Sequence, residues 1–255
     1  MDSITEKFSV FDFFNLMIGG ALFWLGLGIC NPLQVIELVT TIANFVGDSD
    51  FILFVAIALF IGCSLIAGII INEIAHWLFD SKLQLERKLI ENCLNRNQLI
   101  KNDVKLQIFR KKANIYLNVS NYDITDIFTS DQCSTYFAYC IYYLHVHGQD
   151  KKTEKLRETQ GLSELLTLVF AAIPITSFII QILSDTNSLS VNQTISLYTL
   201  FGWFTFVLFR RSKRAMENRL KMVLAVYDAC VDMNDCTEHS VKQLTKKKKD
   251  KKHLY

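Results

Sequence analysis

Cys133, Cys140 and His147 recur every seven residues, so on a helix they share one face. Thiolate and imidazole are zinc ligands. Zinc sites use tighter ligand spacings, however, and a fourth ligand would have to come from His76 or His145. Core packing explains the same spacing, so neither a metal nor another cofactor is expected. The chain has no Gly-rich phosphate loop, no HExxH, no GxSxG and no paired-carboxylate pattern. The expectation is a protein that is not an enzyme. Its seven cysteines are odd in number and form no CxxC, which favours free thiols over a disulfide framework.

The polar residues that stand out do so by their apolar surroundings. Asp12 and Asn15 interrupt the start of an apolar run, Phe8 to Cys30. Ionisable groups in such runs are rare and often functional. Asp12 also suits the inner headgroups, or pairing with His76 or Lys82. Glu73 and His76, three apart, would line the same cytosolic mouth. Small residues four apart, Ala58 with Gly62 and Ser64 with Gly68, let helices approach closely, within one bundle or between subunits. Arg210, Arg211, Lys213 and Arg214, and the terminal Lys246, Lys247, Lys248 and Lys249, suit contact with anionic lipid. A solvated tail is the plainer reading of the last four.

These residues must be positioned by the long apolar segments. Phe51 to Ile71 is uncharged, and about 31 Å of helix matches a hydrocarbon core of ~30 Å. The expected spans are 8–30, 51–72, 162–183 and 191–209. Glu164 lies near the inner end of the third span and Pro174 in its middle, with Thr176 and Ser177 available to satisfy the backbone carbonyl that proline frees. Residues 31–50 form an outer loop in which Val35, Ile36, Val39, Ile42, Ala43 and Val46 suggest an amphipathic helix on the membrane face. Of the 27 Lys and Arg, none falls in 8–81 or 158–209, which places both termini in the cytosol.

Residues 73–160 form a cytosolic insert of nearly balanced charge, which does not suit a nucleic-acid surface. Ile74, Leu78, Leu85 and Leu89 carry an apolar stripe into it. Segments 104–108 and 115–119 alternate with period two, as strands of a hairpin or as parts of helices. Ser120 and Asp123 resemble a capping box opening a helix that runs to Gly148, with a buried core half, Cys133 to His147. Met216, Leu220, Val223, Tyr227 and Cys230 form a heptad seam in a cytosolic helix, 210–236. That seam packs on the insert or on another chain, and residues 237–255 form a polybasic tail.

The fold class expected is an all-α integral membrane protein with four transmembrane helices and a mainly helical cytosolic module. Its hairpins are 1–72 and 161–209. Two functions suit this architecture. One is an oligomeric pore-forming or membrane-perturbing effector controlled through the cytosolic module, a shape shared with bacterial effectors of stress or antiviral defence. The other is a scaffold tethering a cytosolic partner protein. A small transporter follows, with no inverted repeat to support it. The expected partners are the lipid bilayer, further copies of the chain and a cytosolic protein, with no nucleic acid. The expected location is the bacterial inner membrane.

Overall fold

A computed structural model describes residues 10–46, 49–95, 100, 102–117, 127–184 and 189–231. Side chains at 10–12, 42–43, 45–46, 49–53 and 81–82 lie outside the description. Helices take in 93% of the described residues, with no strand among them. The elements are α1 Val10–Cys30, α2 Pro32–Val46, α3 Ser49–His76, a π-helical segment Trp77–Leu83, α4 Leu85–Asn95, α5 Asp103–Leu117, α6 Ser130–Val146, α7 Lys151–Ser184 and α8 Val191–Cys230. Three helical stretches, Phe13–Cys30, Phe54–Asn95 and Lys151–Ser184, contain a segment long and apolar enough to cross a membrane. The fourth expected span opens α8, where Asn192, Gln193, Thr194 and several aromatic side chains dilute the aliphatic content. The helix that would carry it continues past Arg210 to Cys230. The apolar helices fit a membrane protein.

Packing divides the chain into two units. The first comprises Met1–Leu83 and Gln160–Ser212, the second Gln84–Thr159 and Lys213–Tyr255. In the first unit α1 lies along α3. Large apolar side chains such as Phe54, Ile66, Ile179 and Trp203 remain exposed on its helices. That is how a surface facing lipid is built, since hydrocarbon places no penalty on leucine or phenylalanine.

The second unit has an ordinary buried core. Leu89, Cys93 and Leu94 of α4, Phe109 and Ala113 of α5, Tyr136, Phe137, Cys140 and Leu144 of α6, and Met216, Leu220, Val223 and Tyr227 of α8 meet there. The heptad seam of α8 is thus used within the chain, apart from its last member, Cys230, which is exposed. Segments 104–108 and 115–117 belong to helix α5, which settles the choice left open by their alternation. Ser120 and Asp123 lie outside the described residues. The helix ending at Gly148 opens instead at Thr129, whose hydroxyl accepts from the Gln132 amide while the Gln132 side chain accepts from the Thr129 amide. Gly148, at φ +65°, closes it in the left-handed region that glycine tolerates best. The stripe from Ile74 to Leu89 is broken by the π-helical segment and by Gln84, a non-glycine residue at φ +47°.

Helix α5 holds two other helices by their ends. Arg110 donates to the carbonyls of Leu94 (2.8 Å) and Asn95 (2.6 Å), the last carbonyls of α4. Lys112, buried, donates to Asp228 Oδ1 (2.6 Å) and to the carbonyls of Val231 (2.7 Å) and Asp228 (3.3 Å). Helix C-termini leave carbonyls without intrahelical partners and carry negative potential, so a cation satisfies both.

Cys93 and Cys133 sit in the same core. Burial pushes the Cys93 thiol up from 9.0 to about 12, with Lys221 pulling weakly the other way and Cys133 adding to the rise. Burial, with help from Glu91, pushes Cys133 up from 9.0 to about 11. The reactive species is the thiolate. At pH 8 a maleimide is therefore expected to label the exposed Cys230 and to spare Cys93 and Cys133 until the protein is unfolded. The unfolded chain sheds these protons near pH 9.0, whereas the folded chain keeps them to about 11 and 12. Stability present below pH 9 should accordingly fall as pH rises from there towards 12. Equal labelling of these three thiols in the folded protein would contradict this core.

Candidate functional site

Side chains that pack or react in the first unit fall into three groups, and helix contacts set each of them. The first is a seam of small residues. A Cβ on Gly68 would fall on the Leu16 carbonyl, and one on Gly20 would fall on the Ser64 carbonyl. The backbones of α1 and α3 therefore touch, and Ser64 and Gly68 serve packing within the chain. Ala58 and Gly62 do not join them. Both are exposed, and a Cβ on Gly62 would meet nothing within 4 Å. The same helix α1 turns Gly19 and Gly26, seven apart, towards Leu165 and Ile173 of α7. Sequence spacing within α3 pointed to half of this arrangement. The glycines of α1 were overlooked, although Gly19-Gly20 and Gly26 carry the same signal.

The second group lies at the corner between α1 and α2. Asn31 Nδ2 donates to the Leu27 carbonyl (3.0 Å) and to Ser177 Oγ of α7 (3.0 Å). The Tyr198 hydroxyl of α8 reaches the same Ser177 oxygen (3.2 Å). Asn31 and Ser177 are both buried. Ser177 is engaged here instead of compensating for Pro174, which stays inside a continuous α7. An amide buried among apolar helices is stable only with such partners. Asn31 thereby ties one end of α1 to α7 and, through Ser177, to α8.

The third group surrounds Glu164. Its Oε1 accepts from Gln160 Nε2 (2.9 Å) and from Ser212 Oγ of α8 (3.3 Å). Gln160, Ser163, Glu164, Thr167 and Ser212 are all buried. Thr167 Oγ1 donates to the Ser163 carbonyl (2.6 Å). Among the described residues no cation pairs with Glu164, and its hydrogen-bond partners are neutral. A buried carboxylate with no ion pair is costly, and a proton or a cation taken up from solution would stabilise it.

The other expected polar positions fall outside these groups. Asn15 is half-buried on α1, Glu73 and His76 are exposed, and His76 faces Asp80 at 3.8 Å. The Asp12 side chain lies outside the described ones. Arg210, Arg211, Lys213 and Arg214 are exposed along α8, with the Arg210 guanidinium over the Phe206 ring at 5.7 Å. Lys246 to Lys249 lie outside the described residues.

Cys133 and Cys140 are buried in the second unit, while His147 is exposed and stacks on Tyr143. A looser set of metal-ligand types, His145, Asp150 and Glu154, lies at the turn between α6 and α7. His145 pairs with Asp150 at 2.6 Å, and the two acids flank the first turn of α7, where a helix N-terminus favours them. The His145–Asp150 pair and the positive potential of the helix N-terminus account for that set without an ion.

No protein family, no curated protein and no solved structure matches the chain.

Proposed function

We propose that the protein is a multi-pass effector of the bacterial inner membrane, with four spans and both termini in the cytosol. Copies of the first unit assemble in the bilayer into a pore or a membrane-perturbing oligomer, and the second unit controls that assembly from the cytosol. The distribution of Lys and Arg supports the topology. The observation that carries the function is Glu164, a carboxylate buried in the apolar unit whose hydrogen-bond partners among the described residues are neutral. A tether has no use for so costly a group, whereas an ion pathway does. Ala58 and Gly62 offer the open small-residue face through which copies would meet.

The runner-up is a membrane scaffold that tethers a cytosolic partner protein. It is favoured by the second unit having a core of its own.

Liposomes loaded with potassium salt separate the two. Purified protein should release the ion, with or without cell extract. Glu164→Gln, which keeps the shape and hydrogen-bonding capacity, should change the rate by about tenfold, the factor that 1.4 kcal/mol gives. Liposomes that stay tight under every condition would leave the scaffold. A leak indifferent to Glu164→Gln would remove that residue from the pathway.

A further inference from the structure

Helix α2 divides cleanly around its axis. At about 100° per residue, Val35, Ile36, Leu38, Val39, Ile42, Ala43, Phe45 and Val46 fall on roughly one half of the circumference. Gln34, Glu37, Thr40, Thr41 and Asn44 fall on the other, with Leu33 the exception. An amphipathic helix of a soluble protein buries its apolar half. Here Ile36 is 59% exposed, Leu38 61% and Val39 57%. The polar half is exposed as well, except near Gln34, whose Nε2 lies 3.4 Å from Ser184 Oγ at the end of α7. Among the described residues no protein surface buries Val35, Ile36, Leu38 or Val39.

What covers them follows from how the helix is attached. One residue, Asn31, separates it from α1, and two residues separate it from α3. Both neighbours are candidate membrane helices. Asn31 is held by Ser177, and Gln34 by Ser184. These two contacts pin the start of α2 at the end of the bundle where α1 and α7 finish, and the short link to α3 limits how far its other end can move. At that end Ile29 of α1 and Ile182 and Leu183 of α7 are exposed as well. The helix carries no Lys or Arg and a single acid, Glu37, so attraction to anionic lipid contributes nothing.

We propose that α2 is a lipid-binding element that lies in the headgroup–acyl boundary of the bilayer face opposite the Arg210–Arg214 cluster, with its Val35, Ile36, Leu38 and Val39 side seated on neutral lipid. This rests on the membrane reading of α1 and α3 and not on pore formation, so tight liposomes would leave it standing.

The test uses the full chain with Cys63, Cys230 and Cys236 replaced by serine, in phosphatidylcholine vesicles. Nitroxide labels are placed at Val39→Cys and Ile36→Cys on one side and at Thr41→Cys on the other. Oxygen concentrates in the acyl region and a neutral nickel chelate in water. The labels at 36 and 39 should collide with oxygen and be shielded from nickel by several-fold relative to 41. Equal access of nickel to all three would put α2 in water and overturn the proposal. Labels at 36 and 39 closed to both reagents would mean a protein occupant, such as a second copy of the chain, and would overturn it equally. Using two positions on the apolar side guards against one substitution disturbing the fold.

Discussion

Gly68→Leu is expected to abolish the folded, monodisperse particle in detergent, while Gly62→Leu leaves it folded. The two glycines are six residues apart on one helix and look alike in sequence. At Gly68 a Cβ would coincide with the carbonyl of Leu16, and the Leu16 Cα would stand 3.1 Å away. Backbone cannot rotate aside as a side chain does, so the penalty should exceed the ~1–3 kcal/mol typical of overpacked cores. Burying leucine recovers little, because lipid tails are as apolar as the seam. Gly20→Leu should behave as Gly68→Leu, since its Cβ would fall on the Ser64 carbonyl. At Gly62 nothing lies within 4 Å, and replacing an exposed helical glycine gains up to ~1 kcal/mol of helix propensity. Thermal unfolding and particle mass together read the outcome. A wild-type midpoint for Gly68→Leu would refute the seam. A folded Gly62→Leu with a lower mass than the wild type would identify Ala58 and Gly62 as a subunit contact.

Lys112→Ala is expected to destabilise the protein by about 3 kcal/mol, against at most ~0.5 kcal/mol for the neighbouring Lys111→Ala. Lys111 is exposed, whereas the Lys112 side chain is 4% exposed and holds Asp228 and two carbonyls at the end of α8. Its removal leaves the Val231 carbonyl, the Asp228 carbonyl and a carboxylate without their donor, and each such loss costs roughly 1–3 kcal/mol when the group stays buried. Lys112→Met keeps the stem packed but removes the charge, and should recover little of the loss. The measurement is the shift of the unfolding midpoint for the three variants. Equal shifts for Lys111→Ala and Lys112→Ala would mean that the buried ammonium contributes nothing.

Much of the helical layout was legible because apolar residues are blocked into lengths that match a bilayer. The core role of α6 was legible for the same kind of reason, since Cys133, Phe137, Cys140 and Leu144 repeat at helical spacing. Helix α5 was ambiguous because Val104, Leu106 and Ile108 alternate, and a short alternating run fits a strand or one side of a helix. Read at helical phase, Lys112 falls on the same side as Leu106, Phe109 and Ala113, which is the signal that it is buried. Asn31 and Ser177 stand 146 positions apart, and no local pattern pairs them. Glu164 was visible as an acid near the end of a span, but its hydrogen bonding depends on Ser212, contributed by another helix. The cap at Thr129 was missed because a weaker resemblance at Ser120 competed with it.

The glycine seam also orders the events of synthesis. Helices α1 and α3 meet through residues 16 to 68, so this hairpin is complete in the chain long before α7 emerges. Until then the sides of Gly19 and Gly26 lack Leu165 and Ile173, and Asn31 lacks Ser177. The nascent chain thus offers a closed pair of helices bearing an open notch and an asparagine that has its Leu27 partner but not yet its partner on α7. Both are filled only when the second half of the polypeptide leaves the ribosome.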